Sequence, residues 1–278
     1  MIRVEGIELQ PDRFPDRTLL LKISNEIIHA CGEAHNIIID WFYEHDGELF
    51  TLICVKRYID ENFYDCNIFL NLPYIPHARQ DRVKNEEDVF TLKYFCEVIN
   101  SLNFTTVWVR DAHSNVSLAL LNNVQEESIY HFVTNAITKS NAEVLFFPDE
   151  GAMKRYSGDF QMPYAFGMKK RDWKTGQIQS LDIINADNIV GKDVLIVDDI
   201  CSRGGTFYHS AKALKAAGAK SVSLYVTHLE ETVTLGELAS SDGLVDHIYT
   251  TESIFPAKLC ESNHGYDPYW AEWITIMR

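Results

Sequence analysis

Apolar positions in this chain fall mainly into short runs divided by polar segments. Asn36–Asp40 (NIIID), Asn67–Leu72 (NIFLNL), Thr106–Arg110, Val144–Phe147 and Val194–Val197 (VLIV) are such runs, followed by Ser221–Thr227 (SVSLYVT) and Val245–Thr250. Short, continuous runs of this kind predict strands of a parallel sheet covered on both faces. Between them, Leu92, Phe95, Ile99 and Leu102 recur at helical spacing behind Asp88, a candidate cap. Phe207, Ala211 and Leu214 do the same after Thr206, with Gly218 as the stop. Residues 116–140 read as helical, and Arg17–Cys31 as a strand entering a helix. Trp41–Val55 reads as two strands joined at His45-Asp46-Gly47, because Asp-Gly favours a tight hairpin turn. Strands alternating with helices predict an α/β fold.

The length of 278 residues allows two modest domains, at roughly 150 residues each. A hydrophobic content of 46% and a charged content of 23% fit ordered globular domains. The net charge of −15 speaks against a nucleic-acid partner. It leaves small phosphorylated ligands open, since those need only local cations or bound magnesium. No apolar stretch approaches the ~18 residues of a membrane helix, and no basic-then-apolar leader opens the chain, so a cytoplasmic protein without a membrane partner is expected. The six cysteines, at 31, 54, 66, 96, 201 and 260, form no CxxC pair or metal-ligand spacing, and an apolar core of this size does not need disulfides.

The chemistry gathers at Val194–Phe207, VLIVDDICSRGGTF. Asp198 and Asp199 end an apolar run, and Gly204 and Gly205 allow a tight turn into a helix. A glycine turn at a helix N-terminus is a ready anion site, because unpaired N–H groups and the helix dipole favour phosphate. Adjacent carboxylates suit sugar hydroxyls or magnesium, so the stretch asks for a sugar phosphate. It resembles the phosphoribosyl-diphosphate loop of type I phosphoribosyltransferases and of ribose-phosphate diphosphokinases. A second segment, Pro73-Tyr74-Ile75-Pro76-His77-Ala78-Arg79-Gln80-Asp81-Arg82, cannot be helical throughout, since each proline removes a donor and restricts the residue before it. It closely resembles the PYxPYARQDR signature of the diphosphokinases, which plain phosphoribosyltransferases lack.

That resemblance implies two phosphoribosyltransferase-like domains, each a mostly parallel sheet flanked by helices. The expected division is an ATP-binding domain at 1–140, a sugar-phosphate domain at 141–265, and a last segment, 266–278 with Trp270 and Trp273, packed as a helix on the first domain. It also implies roles. Arg79, Gln80 and His113 would hold ATP, with Asp46 and Glu48 as the remnant of a hairpin lent by a neighbouring subunit of a homo-oligomer. His113 and Asp149 would serve Mg2+. Asp198, Asp199, Ser202, Arg203, Gly204, Gly205 and Thr206 would hold the sugar phosphate. Lys169 and Arg171, in FGMKKRDWK, would form the catalytic flap. The implied reaction moves the β,γ-diphosphate of ATP to the 1-hydroxyl of ribose 5-phosphate, as in nucleotide biosynthesis; a plain phosphoribosyltransferase and a non-catalytic regulatory relative are the alternatives.

Five of these positions depart from the family pattern. Ala152 stands for a glycine, and Met168 and Asp172 for Asp and Pro. In DDICSRGGT, set against DDxxDTGGT, Ser202 replaces a carboxylate and Arg203 a threonine, so the loop gains about two positive charges. A more cationic loop suits a larger anion, which makes ADP-ribose, and with it NAD salvage, the alternative acceptor.

Overall fold

The computed structural model describes residues 1–171, 178–239, 243–255 and 272–278, without the side chains of 169–171 and 178–181. Within it the chain forms two units, Met1–Ser128 and Ile129–Arg278.

In the first unit the strands are β1 (Ile2–Val4), β2 (Ile7–Glu8), β3 (Asp12–Arg13), β4 (Leu19–Leu20), β5 (Asn36–Trp41), β6 (Asn67–Asn71), β7 (Thr106–Arg110) and β8 (Val124–Glu127). The helices are α1 (Asn25–Glu33), α2 (Glu48–Asn62), α3 (Thr91–Ser101) and α4 (Asn115–Leu120). The main sheet has the order β2-β1-β5-β6-β7-β8, with β5 to β8 parallel and β1 antiparallel at their flank. Parallel neighbours taken in sequence order place their right-handed crossover helices on one face. Ile37, Ile39, Ile68, Leu70, Val107 and Val109 accordingly share one core with Leu52, Val55, Leu92, Phe95 and Ile99. Their strand neighbours Ile38, Phe69, Asn71, Trp108 and Arg110 are only half-buried. This corrects the expectation of strands buried on both faces in this half.

The second unit meets that expectation. It comprises α5 (Tyr130–Ser140), β9 (Val144–Phe147), α6 (Glu150–Tyr156), β10 (Tyr164–Arg171), β11 (Ile178–Ile184), β12 (Asp193–Cys201), α7 (Gly205–Ala216), β13 (Ser221–Leu229), β14 (His247–Thr251) and β15 (Ile274–Met277). The sheet order is β11-β10-β9-β12-β13-β14-β15, and every pair is parallel except β10 with β11. Val194, Ile196, Val222 and Leu224 pack with Phe207, Ala211 and Leu214 of α7. Leu195, Val197 and Tyr225, on the other face, pack with Phe132, Val133 and Ala136 of α5.

That second core explains where the units divide. Helix α5 buries its apolar stripe with β9 and β12, so the division falls after Ser128 and not at residue 140. The C-terminal reading is also corrected. Trp273 packs in the second unit's core and donates its indole N–H to the Val245 carbonyl at 3.0 Å, and β15 extends the second sheet as an edge strand. Trp270 lies outside the described residues. Residues 116–140 are interrupted by β8, and Asp88 accepts from the Lys84 and Asn85 amides instead of capping α3, which begins after Phe90.

The Trp41–Val55 hairpin is replaced by β5, a short loop and α2. Glu48 is the reason. Its carboxylate is buried and accepts from the Trp41 indole at 2.9 Å and the Glu44 amide at 2.9 Å, which folds the chain back at this point. Removing an acceptor from a buried N–H costs about 1–3 kcal/mol. Glu48→Ala should therefore lower the unfolding free energy of the first unit by that amount, seen as a lower urea midpoint at unchanged slope in tryptophan emission. An unchanged midpoint would show that the Glu48 contacts contribute nothing.

Candidate active site

Parallel strands place their carboxyl ends on one sheet edge, where ligands of α/β folds gather. In the first unit that edge carries the loops after β5, β6 and β7. Pro73 and Pro76 are buried with Ile75 and Ala78, and the Arg110 amide donates to the Pro73 carbonyl at 3.1 Å, so the loop after β6 is fixed to β7. His77 adopts φ +64° and Asp111 φ +45°. Non-glycine residues in this region carry strain that the surrounding structure must support.

The polar side chains of these loops are tied together. The Tyr43 hydroxyl donates to Asp46 Oδ1 at 2.8 Å, and His77 Nε2 lies 3.1 Å from the same oxygen. The Thr91 hydroxyl donates to Gln80 Oε1 at 2.6 Å. Asp81 accepts from Arg82 Nε at 2.8 Å and, through its other oxygen, from the Ser114 hydroxyl at 2.9 Å. Asp46, Gln80 and Asp81 are thus each tied to a side chain of another segment at this sheet edge. His113 is exposed beside Ser114 and near enough to Asp81 to stabilise its anion, and Arg79 is exposed on the loop. Glu48 belongs to the fold, as described above. Tyr43 and His77 were not foreseen; a polar pair flanking Asp46 and the Pro-rich loop was the available signal.

In the second unit β12 and β13 stay paired to Cys201↔Leu229, so Asp198 and Asp199 sit inside the strand end instead of following it. The Asp199 amide donates to Asp198 Oδ1 at 3.0 Å, and Arg155 of α6 lies 3.6 Å from Asp199 Oδ2. Asp149 ends β9 and caps α6, accepting from the Ala152 amide at 3.1 Å. Cys201 is buried, as a packing residue would be. Gly204, with φ +78°, caps α7, so Thr206 lies in the first helical turn and is not the cap. The first amides of α7 have no partner within the helix and are of the kind that can accept an anion. Gly204 also lies against Leu238, whose Cβ would stand 2.6 Å from an added methyl.

Ser202 has a job that the sequence did not reveal. Its hydroxyl donates to Glu230 Oε2 at 2.6 Å and lies 3.2 Å from the Thr232 hydroxyl. Arg203 and Thr206 are exposed on the same loop. Gly236 comes so close to Arg203 that a Cβ there would meet the Arg203 carbonyl oxygen at 1.8 Å. Lys169 and Arg171 fall on β10, paired in backbone register with Leu181 and Ile178, but their side chains lie outside the described residues, as does Asp172. Among the described residues no group of three or more His, Cys, Asp or Glu could alone hold a metal, and no helix is long and apolar enough to cross a membrane.

Strand-end carboxylates, a glycine turn and a helix N-terminus on a parallel sheet give the second unit the arrangement of a nucleotide- or sugar-phosphate-type α/β domain. The family model described as phosphoribosyl transferase domain matches residues 154–245. The ribose-phosphate pyrophosphokinase of Saccharolobus solfataricus is 29% identical over 234 residues, covering 82% of this chain and 79% of the relative. That of Thermococcus kodakarensis is 24% identical over 265 residues, covering 89% and 86%. The crystal structure of phosphoribosylpyrophosphate synthetase from Mycobacterium smegmatis shares the fold, with a TM-score of 0.71 at 15% identity over 97% of this chain and 85% of that one. The chain is a divergent relative of the ribose-phosphate pyrophosphokinases and, like them, an enzyme.

The Asp81 tie is testable through pH. Hydrogen bonding from Arg82 holds its carboxyl below the ordinary 3.8, burial opposes the shift, and Ser114 and the nearby charges of Arg82 and His113 reinforce it. A carboxylate with a lowered folded value stabilises the fold above its unfolded pKa and loses that effect as pH falls through the lowered value. The urea-midpoint difference between wild type and Asp81→Asn should be largest near neutral pH and shrink below about pH 4. A pH-independent difference would mean that the charge of Asp81 does not hold the loops together.

Proposed function

We propose that the chain transfers the intact β,γ-diphosphate of ATP to the anomeric hydroxyl of ribose 5-phosphate, giving phosphoribosyl diphosphate and AMP, as a cytoplasmic homo-oligomer. The observation that carries this reading is the PYIPHARQDR loop, fixed beside the His113 segment by the Asp81–Ser114 bond at 2.9 Å. A plain phosphoribosyltransferase has no use for that second strand-end site, and a regulatory relative has no need to keep it with Lys169, Arg171 and Asp149.

In this reading Arg79, Gln80 and His113 hold ATP, with Asp46 alongside. Asp198 and Asp199 take the ribose hydroxyls, while the amides from 202 to 206 take the 5-phosphate. A magnesium ion on a nucleotide draws most of its ligands from phosphate and water and needs one or two protein groups. Asp149, a half-buried carboxylate at a strand end of the second unit, fits that need, and His113 is the corresponding candidate in the first. Bound magnesium would neutralise phosphate charge. Lys169 and Arg171 stabilise the transferring group by position and charge, which dominate phosphoryl transfer.

Arg203, exposed on the loop, supports ADP-ribose as the second acceptor reading. Glu230, next to Ser202, returns one negative charge and favours the monophosphate. The test is AMP release and the phosphorus NMR spectrum of the product, with each acceptor and with none. AMP should appear only with acceptor, at higher kcat/KM for ribose 5-phosphate, and Lys169→Ala or Arg171→Ala should lower turnover ~10²-fold with a much smaller change in ATP affinity. No acceptor-dependent AMP would overturn the activity. A preference for ADP-ribose that is lost in Arg203→Thr would replace the acceptor.

A further inference from the structure

We infer that Glu230 is a positioning residue of the sugar-phosphate loop, supplying from the end of β13 the carboxylate that anchors Ser202. The inference takes only the identity of the ligand from the reading above; the anchoring stands on geometry.

Strands β12 and β13 remain in register to their last pair, Cys201↔Leu229, so the next residues, Ser202 and Glu230, leave the sheet side by side. Glu230 then grips the loop twice. Its amide donates to the Cys201 carbonyl at 2.8 Å, and its carboxylate accepts the Ser202 hydroxyl at 2.6 Å. Thr232 donates to the same Oε2 at 3.2 Å, and its oxygen lies 3.2 Å from Ser202 Oγ. The chain after Glu230 continues as a saddle beneath the loop. The Val233 amide closes back on the Glu230 carbonyl at 3.1 Å, Gly236 abuts the Arg203 carbonyl, and buried Leu238 supports Gly204.

A hydroxyl has one proton to donate. Given to a carboxylate, it makes a charge-assisted bond stronger than one between neutral groups. In this arrangement Ser202 is a strut, and the anion falls to the backbone amides that follow it. Glu230 is also only half-buried, which suits a loop support better than a core residue. Loss of its carboxylate would release Ser202 and Thr232 together and let the loop leave the conformation in which its amides converge.

The test uses full-length wild type and the variants Glu230→Ala, Glu230→Gln, Ser202→Ala and Glu230→Ala with Ser202→Ala. Ligand-free amide exchange is followed in peptides covering 199–208 and, as a control, 91–101. KM for ribose 5-phosphate and for ATP is measured alongside. Glu230→Ala should speed exchange in the loop ~10-fold and raise KM for ribose 5-phosphate by a similar factor, leaving the control peptide and KM for ATP in place. Glu230→Gln, whose amide oxygen still accepts from Ser202, should stay within about three-fold of wild type. The double variant should be no worse than Glu230→Ala alone, since both remove one contact. Unchanged loop exchange in Glu230→Ala would overturn the proposal, and so would an equal rise across the whole second unit, which marks general destabilisation. A wild type that turns over no ribose 5-phosphate would remove the functional reading, while loop exchange would still decide the role of Glu230.

Discussion

The register of β12 with β13 is the constraint on which the rest of the second unit depends. The pairing runs from Asp193↔Ser221 to Cys201↔Leu229, and it determines which residues meet where the strands end. A slip of one residue would turn Val194, Ile196, Val222 and Leu224 away from α7 and exchange the two cores. Burying each such side chain contributes about 1.5–3 kcal/mol, so the register is held far from the site by contacts that have no chemical role. The loop at residues 202–206 inherits its position from that packing. Two carboxylates, an anion-binding turn and a bracing segment are therefore delivered together.

A protein with a net charge of −15 must hold a phosphorylated ligand by local means. Backbone amides at the start of α7 carry no side-chain charge and are aimed by the helix itself. Arg155 approaches Asp199, and Glu230 accepts the Ser202 hydroxyl, so these carboxylates near the loop each stand close to a partner. Global charge then sets solubility and long-range repulsion, while the fixed dipoles set binding.

Much of the fold was legible because buried parallel strands are written as continuous apolar runs. Asn36–Asp40, Thr106–Arg110 and Val144–Phe147 coincide with strands within a residue, and α7 follows the glycine turn as expected. The failures share a cause. The Asp46-Gly47 turn was a strong local hairpin signal, overridden by a tertiary contact, the Trp41–Glu48 bond, that local sequence does not encode. Trp273 looked like part of a helix returning to the first domain, but its indole meets Val245, far along the chain, and the residues directly after it, Ile274–Met277, enter the second sheet. In the candidate site, strand-end residues such as Asp149, Asp198 and Asp199 could be picked out from their place after apolar runs. Glu230 could not, because it gains its meaning from the residue beside it on the neighbouring strand.

The departures from the family pattern become intelligible when each is set in its surroundings. Ala152 replaces a glycine without strain, since it lies in α6 outside the positive-φ residues and donates its amide to Asp149. A glycine would leave that turn looser in the unfolded chain and add nothing to the cap. Ser202 replaces a carboxylate, and Glu230 places one 2.6 Å away from the adjacent strand. The negative charge has moved from the loop to its support, which leaves the loop backbone the same task with a different anchor. Arg203 is the departure that this compensation does not absorb. Its carbonyl is pressed by Gly236, so its backbone is fixed while its side chain stands exposed at the loop. A planar guanidinium offers paired donors that match a phosphate. In the function proposed above, the choice between a small and an extended sugar phosphate would turn on this side chain more than on any other in the loop.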